Sequence, residues 1–187
     1  MSRHHLTTLC SILLIVLAGM LFGVVLPAQA ADQISIEDLQ AAMQTLNFLD
    51  SLPKEGTIVV GVIYSSETAN AQAMAMEAVK TISAMRGPKS RSIQAVALST
   101  YDLSGFAGHL DLIVLLSGAS KHAEIIQSAM RRLRVESISD DPDCLPTNCC
   151  VLFVQAGRRV EITLNSALAD AVGAHFSLVF MMVVKRK

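Results

Sequence analysis

The sequence has no tryptophan, and its aromatic residues are limited to six phenylalanines and two tyrosines. Little aromatic surface is therefore present on which bases or sugars could stack. Charged residues make up 17% of the chain, and the formal net charge is −1. Because a face that binds nucleic acid needs an excess of lysine and arginine, this balance indicates that nucleic acid is not a partner.

Familiar catalytic and nucleotide-binding motifs are also absent from the sequence. It has no P-loop, no G-x-G-x-x-G fingerprint and no G-x-S-x-G nucleophile elbow. His109, His122 and His175 are isolated and lack the H-x-x-x-H spacing of a metal-binding helix. We therefore expect a protein that is not an enzyme and that carries neither a metal nor a cofactor.

Residues 1–30 have the organisation of a secretory signal peptide. Arg3 precedes an apolar run without charges at 10–25, and Ala28-Gln29-Ala30 gives the A-x-A pattern of a cleavage site. A permanent membrane anchor is the alternative, although the run is shorter than the roughly 20 residues that span a bilayer comfortably. We predict cleavage after Ala30 and location in the periplasm.

After residue 30, runs of apolar and β-branched residues alternate with helical patterns. The predicted strands cover 57–64, 93–98, 110–116, 135–139, 151–154 and 160–164, and the predicted helices cover 35–48, 68–85, 103–108, 121–132, 166–171 and 176–184. Such alternation predicts an α/β fold. We expect one three-layer, Rossmann-like domain over residues 31–187, with a mostly parallel sheet and a C-terminal antiparallel hairpin plus helix.

Serine-rich segments precede three of these helices. Ser35 to Asp38 resembles a capping box at the first helix, and Ser65-Ser66-Glu67 is predicted to cap the second. Ser117-Gly118-Ala119-Ser120 follows a predicted strand, where backbone N–H groups could hold an anion. We interpret this last segment instead as an ordinary helix start capped by Ser120.

Three of the four cysteines lie in the segment DPDCLPTNCC, residues 141–150. Paired cysteines form disulfides in an oxidising compartment, and this spacing fits neither a C-x-x-C redox site nor zinc knuckles. A bridge between the adjacent Cys149 and Cys150 would be strained. We therefore expect Cys144 to pair with Cys150, with Cys149 as the rival partner. The carboxylates of the segment are interpreted as an acidic turn rather than a calcium site.

Several short motifs occur along the chain in a recognisable order. Residues 47–53 are similar to a Phe-x-x-Trp-Pro segment that ends a first helix, although the tryptophan is missing. Ser139-Asp140 ends a predicted strand before the hairpin, and Asn165 begins a helix that runs to Gly173. In order and spacing these motifs resemble the YfiR/HmsC-like family of small periplasmic proteins, over nearly all of the chain after residue 30. Where many relatives carry glycines in the loop, this chain has cysteines.

The resemblance implies a regulator. Relatives bind the periplasmic domain of an inner-membrane diguanylate cyclase and repress it, which lowers cyclic-di-GMP, exopolysaccharide production and biofilm formation. A sensor kinase is the other partner that we consider, and dimers among relatives imply a homodimer. Phe48, Phe176, Phe180 and Met181 could be apolar anchors of the partner surface, with core packing as the other interpretation. The alternatives are a periplasmic small-ligand-binding protein that serves a transporter or sensor, and a thiol-dependent enzyme.

Overall fold

The computed structural model describes residues 35–187, so the predicted signal peptide at 1–30 lies outside the described residues. In chain order the elements are α1 (Ile36–Thr45), β1 (Ile58–Tyr64), α2 (Ala71–Ala84), β2 (Ile93–Ser99), α3 (Thr100–Gly105), β3 (Leu112–Leu115), α4 (Ala123–Leu133), β4 (Ser137–Ser139), α5 (Cys144–Thr147), β5 (Leu152–Gln155), β6 (Glu161–Leu164), α6 (Ser166–Val172), α7 (Leu178–Val183) and β7 (Lys185–Arg186). Short 3₁₀ turns lie at Leu46–Phe48, Pro88–Ser90 and Ala119–His122.

The strands form a single seven-stranded sheet in the order β2-β1-β3-β4-β5-β6-β7. The first five strands of this order are parallel, and β6 runs antiparallel to β5, with Leu152 opposite Leu164. The predicted α/β class, the mostly parallel sheet and the antiparallel hairpin are therefore confirmed. The order 2-1-3-4-5 is the flavodoxin-like form of a doubly wound sheet.

Helices cover both faces of the sheet. The connection through α2 moves from β1 to β2, whereas those through α3 and α4 cross the sheet in the opposite direction. Because such crossovers are right-handed, α2 lies on one face and α3 and α4 lie on the other. The strands β1 and β3 are buried along almost their whole length, as expected for the centre of a sheet that is covered on both sides.

Some helices begin where the sequence predicts, and others begin at a different residue. Ser35 accepts a hydrogen bond from the Asp38 amide at 2.9 Å, so the predicted cap of α1 is confirmed. The predicted cap of α2 by Ser65-Ser66-Glu67 is wrong, because α2 begins only at Ala71, after Asn70 in a left-handed conformation. The Ser65 hydroxyl instead accepts a hydrogen bond from the Glu67 amide and lies close to the His122 ring, in the segment that follows β3.

The C-terminal segment differs most from its prediction. Phe176 forms an isolated β-bridge with Leu49, so α7 begins at Leu178 rather than at residue 176. The chain then returns to the sheet, where β7 pairs in parallel with β6. This two-residue strand was not predicted, because three consecutive basic residues carry no strand pattern. Among residues 35–187, none of the helices combines the length and the hydrophobicity needed to cross a bilayer.

Candidate functional site

The carboxyl ends of β1 and β3 lie side by side, and we name this edge of the sheet the crevice, after the place where open α/β sheets bind ligands. The strand order reverses at this point, because β1 leads to β2 on one side while β3 and the later strands lie on the other. Ligands of open α/β sheets bind in the crevice outside such a reversal. Loops that follow β1, β2, β3 and β4 converge here, so their side chains define the candidate site.

Four polar side chains, which we name the crevice cluster, meet at this point: Ser65, Glu67, Tyr101 and His122. The Ser65 hydroxyl lies 3.1 Å from Nε2 of His122. The Tyr101 hydroxyl donates to Oε1 of Glu67 at 2.9 Å, and the Tyr101 ring meets the His122 ring edge-on at 5.5 Å. Residues that are far apart in sequence thus form one polar group at the end of the sheet.

The geometry of the crevice cluster differs from that of a nucleophilic catalytic triad. Ser65 is fully buried, so its hydroxyl does not face an external substrate. The same nitrogen of His122 faces both Ser65 and Glu67, the latter at 3.7 Å, whereas a catalytic triad needs the acid on the other ring nitrogen. The accessible groups are the side chain of Glu67, which is 60% exposed, and Tyr101, which is 52% exposed.

Glu67 controls the protonation of Tyr101. The hydrogen bond to Glu67 and the negative charge of that carboxylate raise the pKa of the Tyr101 phenol, with a small addition from burial. The phenol therefore stays protonated and keeps donating to Oε1. The second carboxylate oxygen, Oε2, accepts no hydrogen bond from the residues that the structure describes.

Replacing Glu67 by glutamine is expected to lower the pKa of Tyr101, because the variant loses the charge that favours the neutral phenol. An absorbance titration of tyrosinate can measure this directly, since the chain has two tyrosines and no tryptophan. The matched control is Glu77→Gln, which removes an exposed carboxylate on α2. An unchanged Tyr101 transition in Glu67→Gln would contradict the contact.

The turn after β3 already holds an anion from within the chain. Gly118 has a left-handed conformation, with φ of 83°, and its amide donates to Oδ2 of Asp141 at 3.3 Å. Ser120 donates its hydroxyl to the same oxygen at 2.8 Å. The predicted helix cap from Ser120 is therefore wrong, because Gly118 starts the 3₁₀ turn and places Ser120 within it. The Asp141 carboxylate therefore occupies the place in this turn where an external anion could have accepted the same hydrogen bonds.

Ser139 positions this carboxylate. Ser139 ends β4, where its buried hydroxyl donates to the Leu115 carbonyl at 3.2 Å and accepts from the Asp141 amide at 3.1 Å. Asp140 follows as a half-buried residue. Ser139 thus joins the ends of β3 and β4 and holds the backbone of Asp141, which is a structural role.

The disulfide joins Cys144 to Cys149, the rival partner, so the expected pairing with Cys150 is wrong. Cys144 begins the single turn of α5, and the left-handed Asn148 ends it. The Cys149 amide then donates to the Cys144 carbonyl at 3.0 Å, which brings the two α-carbons to 5.0 Å. This short helix brings Cys149, rather than Cys150, to Cys144, and the spacing of the cysteines alone does not predict the helix.

Cys150 is the free thiol, and it is buried. Burial raises the pKa of Cys150 to about 12, and the negative charge of Asp141 acts in the same direction. Because the thiolate is the nucleophilic form of cysteine, a thiol that stays protonated is inert. Nothing in this geometry supports the thiol-dependent enzyme that we considered as an alternative.

Asn165 and Gly173 are the caps of α6. The Asn165 side chain accepts from the Leu168 amide at 3.1 Å and donates to the Asn148 side chain at 3.0 Å. Gly173 ends the helix in a left-handed conformation, with φ of 77°. Both residues of the predicted motif therefore shape the backbone, and Asn165 also ties α6 to the disulfide loop.

The predicted partner surface is divided between the interior and the exterior. Phe180 is buried, and its ring stacks between those of Phe48 at 5.3 Å and Phe176 at 5.1 Å. Phe180 therefore belongs to the core, and its assignment to a surface is wrong. Phe176 and Met181 pack against the core as half-buried residues, whereas Phe48 is exposed at the edge of the stack.

A buried acidic group lies near the amino ends of the strands, away from the crevice. Glu136 precedes β4, and burial raises its pKa to about 8, with a further increase from the nearby charge of Asp111. Its Oε1 atom has no hydrogen-bond partner among residues 35–187. Asp111 accepts from the Val59 amide and from His109, each at 2.8 Å. This group was not predicted from the sequence, although an acidic residue beside a buried apolar strand run marks its position.

The three histidines of the described region lie apart from one another. His122 belongs to the crevice cluster, His109 contacts Asp111, and His175 is an exposed residue before α7. Within residues 35–187, no group of three or more histidine, cysteine, aspartate or glutamate side chains is arranged to hold a metal ion.

Comparison with known proteins finds similar folds but no matching family. Neither a protein-family model nor a curated protein matches the chain. A solved structure of the ABC domain from Streptococcus pneumonia in complex with L-Trp is similar over 80% of this chain and 62% of that one, with a TM-score of 0.57 and 11% identity. A conserved domain protein from Vibrio cholerae O1 biovar El Tor str. N16961 is similar over 80% of this chain and 60% of that one, with a TM-score of 0.53 and 13% identity.

These similarities define the class of the protein as an α/β domain of doubly wound type. The aligned region of this chain spans less than two thirds of each of the two solved chains. At such low identity the likeness concerns the fold alone.

Proposed function

We propose that the chain is a small-ligand-binding protein whose ligand sits in the crevice at the carboxyl ends of β1 and β3. The observation that carries the proposal is the crevice cluster, which presents two accessible polar groups at the reversal of the strand order. The fold shared with a domain that was solved in complex with L-Trp adds support. With the predicted signal peptide, the protein would work in the periplasm and serve a transporter or sensor.

The chemistry of the exposed groups favours a ligand with an ammonium group. Oε2 of Glu67 can accept a charge-assisted hydrogen bond from a cationic donor. The half-exposed ring of Tyr101 lies beside this carboxylate and can attract the same cation through its face. Asp141 already accepts a hydrogen bond from the Gly118 amide, so this amide is not available to a phosphate-like anion.

Isothermal titration with free amino acids and simple amines tests the proposal. We expect binding by at least one ammonium-bearing compound and none by its N-acetylated form, which lacks the charge. Glu67→Gln is expected to weaken that binding about tenfold or more, because a hydrogen bond to a charged group contributes about 1.5–3 kcal/mol. Glu77→Gln should bind like the parent protein. Equal binding of the acetylated form, or no binding across the panel, would reject the proposal.

A second candidate is the regulator implied by the resemblance to the YfiR/HmsC-like family. The disulfide favours it, since the bridge closes the loop directly after the Ser139-Asp140 motif and Asp141 links that loop to the crevice. In this proposal a homodimer binds the periplasmic domain of a diguanylate cyclase or sensor kinase, which lowers cyclic-di-GMP, exopolysaccharide production and biofilm formation. The titration separates the two candidates, because a regulator that recognises protein alone binds no amine.

A further inference from the structure

Helix α7 presents an apolar face to solvent. Leu178, Val179, Met182 and Val183 are each between 67% and 84% exposed. Their spacing along the helix places them on one side, which we name the α7 face. The opposite side carries Phe180, which is held in the core between two other phenylalanine rings. The helix is therefore fixed on the domain with its apolar face outward.

Basic residues follow the α7 face directly. Lys185, Arg186 and Lys187 are exposed, and residues 171–187 contain no aspartate or glutamate. Lys185 contacts the exposed carboxylate of Glu161 at 2.6 Å. Arg186 donates to the Met181 carbonyl, and Lys187 donates to neutral oxygen acceptors. Two of the three cations thus have no carboxylate partner within the described residues.

We propose that the α7 face docks on an anionic lipid surface. Apolar side chains on one face of a helix can enter the boundary between headgroups and acyl chains, while adjacent lysine and arginine residues contact lipid phosphates. The two attractions act together here, since three exposed basic residues directly follow, in sequence, the helix that carries the four exposed apolar side chains. None of the residues of the α7 face belongs to the crevice cluster.

The charge of the patch disfavours a second copy of the chain as its occupant. A twofold contact through the α7 face would place the same surface patch on both sides of the interface. It would therefore bring two sets of basic residues together, and like charges across an interface oppose association. An anionic bilayer complements the same charges.

Sedimentation of the purified protein with lipid vesicles tests the inference. We expect binding to phosphatidylcholine vesicles that contain phosphatidylglycerol and much weaker binding to vesicles of phosphatidylcholine alone. The double variant Leu178→Ser/Met182→Ser should lose about tenfold or more in affinity, because each substitution removes exposed apolar surface that would be buried in lipid. Arg186→Gln/Lys187→Gln should weaken binding to the anionic vesicles specifically. All variants keep the same N-terminus as the parent, so segment 1–30 contributes equally.

The control is Met76→Ser, which removes an exposed methionine from α2. It should bind vesicles like the parent protein, and circular dichroism should show that all variants remain folded. Equal binding to both kinds of vesicle, or undiminished binding by Leu178→Ser/Met182→Ser, would overturn the inference. So would a parent dimer that this double variant converts to a monomer without any change in lipid binding, since the α7 face would then contact a second copy.

Discussion

Replacing Glu136 by glutamine is expected to raise the free energy of unfolding near pH 8 by about 4 kcal/mol. The parent protein holds this side chain in a buried position, where the ionised form loses its hydration and lies near Asp111. Glutamine has a similar shape and never ionises. The variant therefore avoids the unfavourable buried charge that the parent must either neutralise or accept.

The sign of the pH dependence follows from the raised pKa of Glu136, about 8 in the folded protein against an ordinary 4.5. Below the ordinary value both states hold the proton, and the contribution to stability is fully present. As the pH rises toward 8, the unfolded chain releases the proton while the folded one keeps it, which costs about 1.4 kcal/mol per pH unit. Above the pKa that Glu136 has in the folded protein, the side chain is ionised in both states, and stability falls no further.

Urea unfolding of the two proteins at a series of pH values between these limits can measure the effect. The difference in unfolding free energy between Glu136→Gln and the parent should grow steadily with pH. Glu124→Gln is the matched control, because it removes an exposed carboxylate on α4 and should leave the pH dependence unchanged. Parallel curves for Glu136→Gln and the parent would show that Glu136 ionises normally in the folded protein.

The sequence predicts best those strands and helices in which the burial of successive side chains follows a regular pattern. A central strand of a covered sheet is buried on both sides, so β1 and β3 appear as unbroken apolar runs. The turn predicted at residues 155–159 separates two short predicted strands, and the hairpin of β5 and β6 is found there. Such local patterns suffice for the α/β class and for most of the element order.

The crevice cluster could not be predicted, because its residues come from three separate segments. Ser65 looks like a helix cap in the sequence, whereas its hydroxyl in the structure faces His122. Tyr101 lies on a short helix whose capping box, Ser99 with Asp102, fixes its position beside Glu67. Only the sheet order brings these segments together, and pairing between distant strands is not encoded in local periodicity.

Replacing Asp141 by alanine is expected to lower the free energy of unfolding by about 3 kcal/mol. The Asp141 carboxylate accepts from the Gly118 amide, the Ser120 hydroxyl and the Asp143 amide, at distances between 2.8 and 3.3 Å. Alanine leaves these donors without their acceptor, and an unsatisfied buried donor loses the full free energy of its hydration. The substitution should also speed hydrogen exchange at the Gly118 amide, which can be measured by NMR together with chemical unfolding.

Asp143→Ala is the matched control for Asp141→Ala, because it removes the same side chain from the same loop at an exposed position. The Asp143 side chain makes no capping hydrogen bond, so its loss should change stability by about 0.5 kcal/mol or less. If both substitutions lowered the free energy of unfolding equally, stability would depend on the loop as a whole rather than on the Asp141 carboxylate. A large cost confined to Asp141, with faster exchange at Gly118, would show that the internal carboxylate holds the turn after β3 and thereby the rear of the crevice.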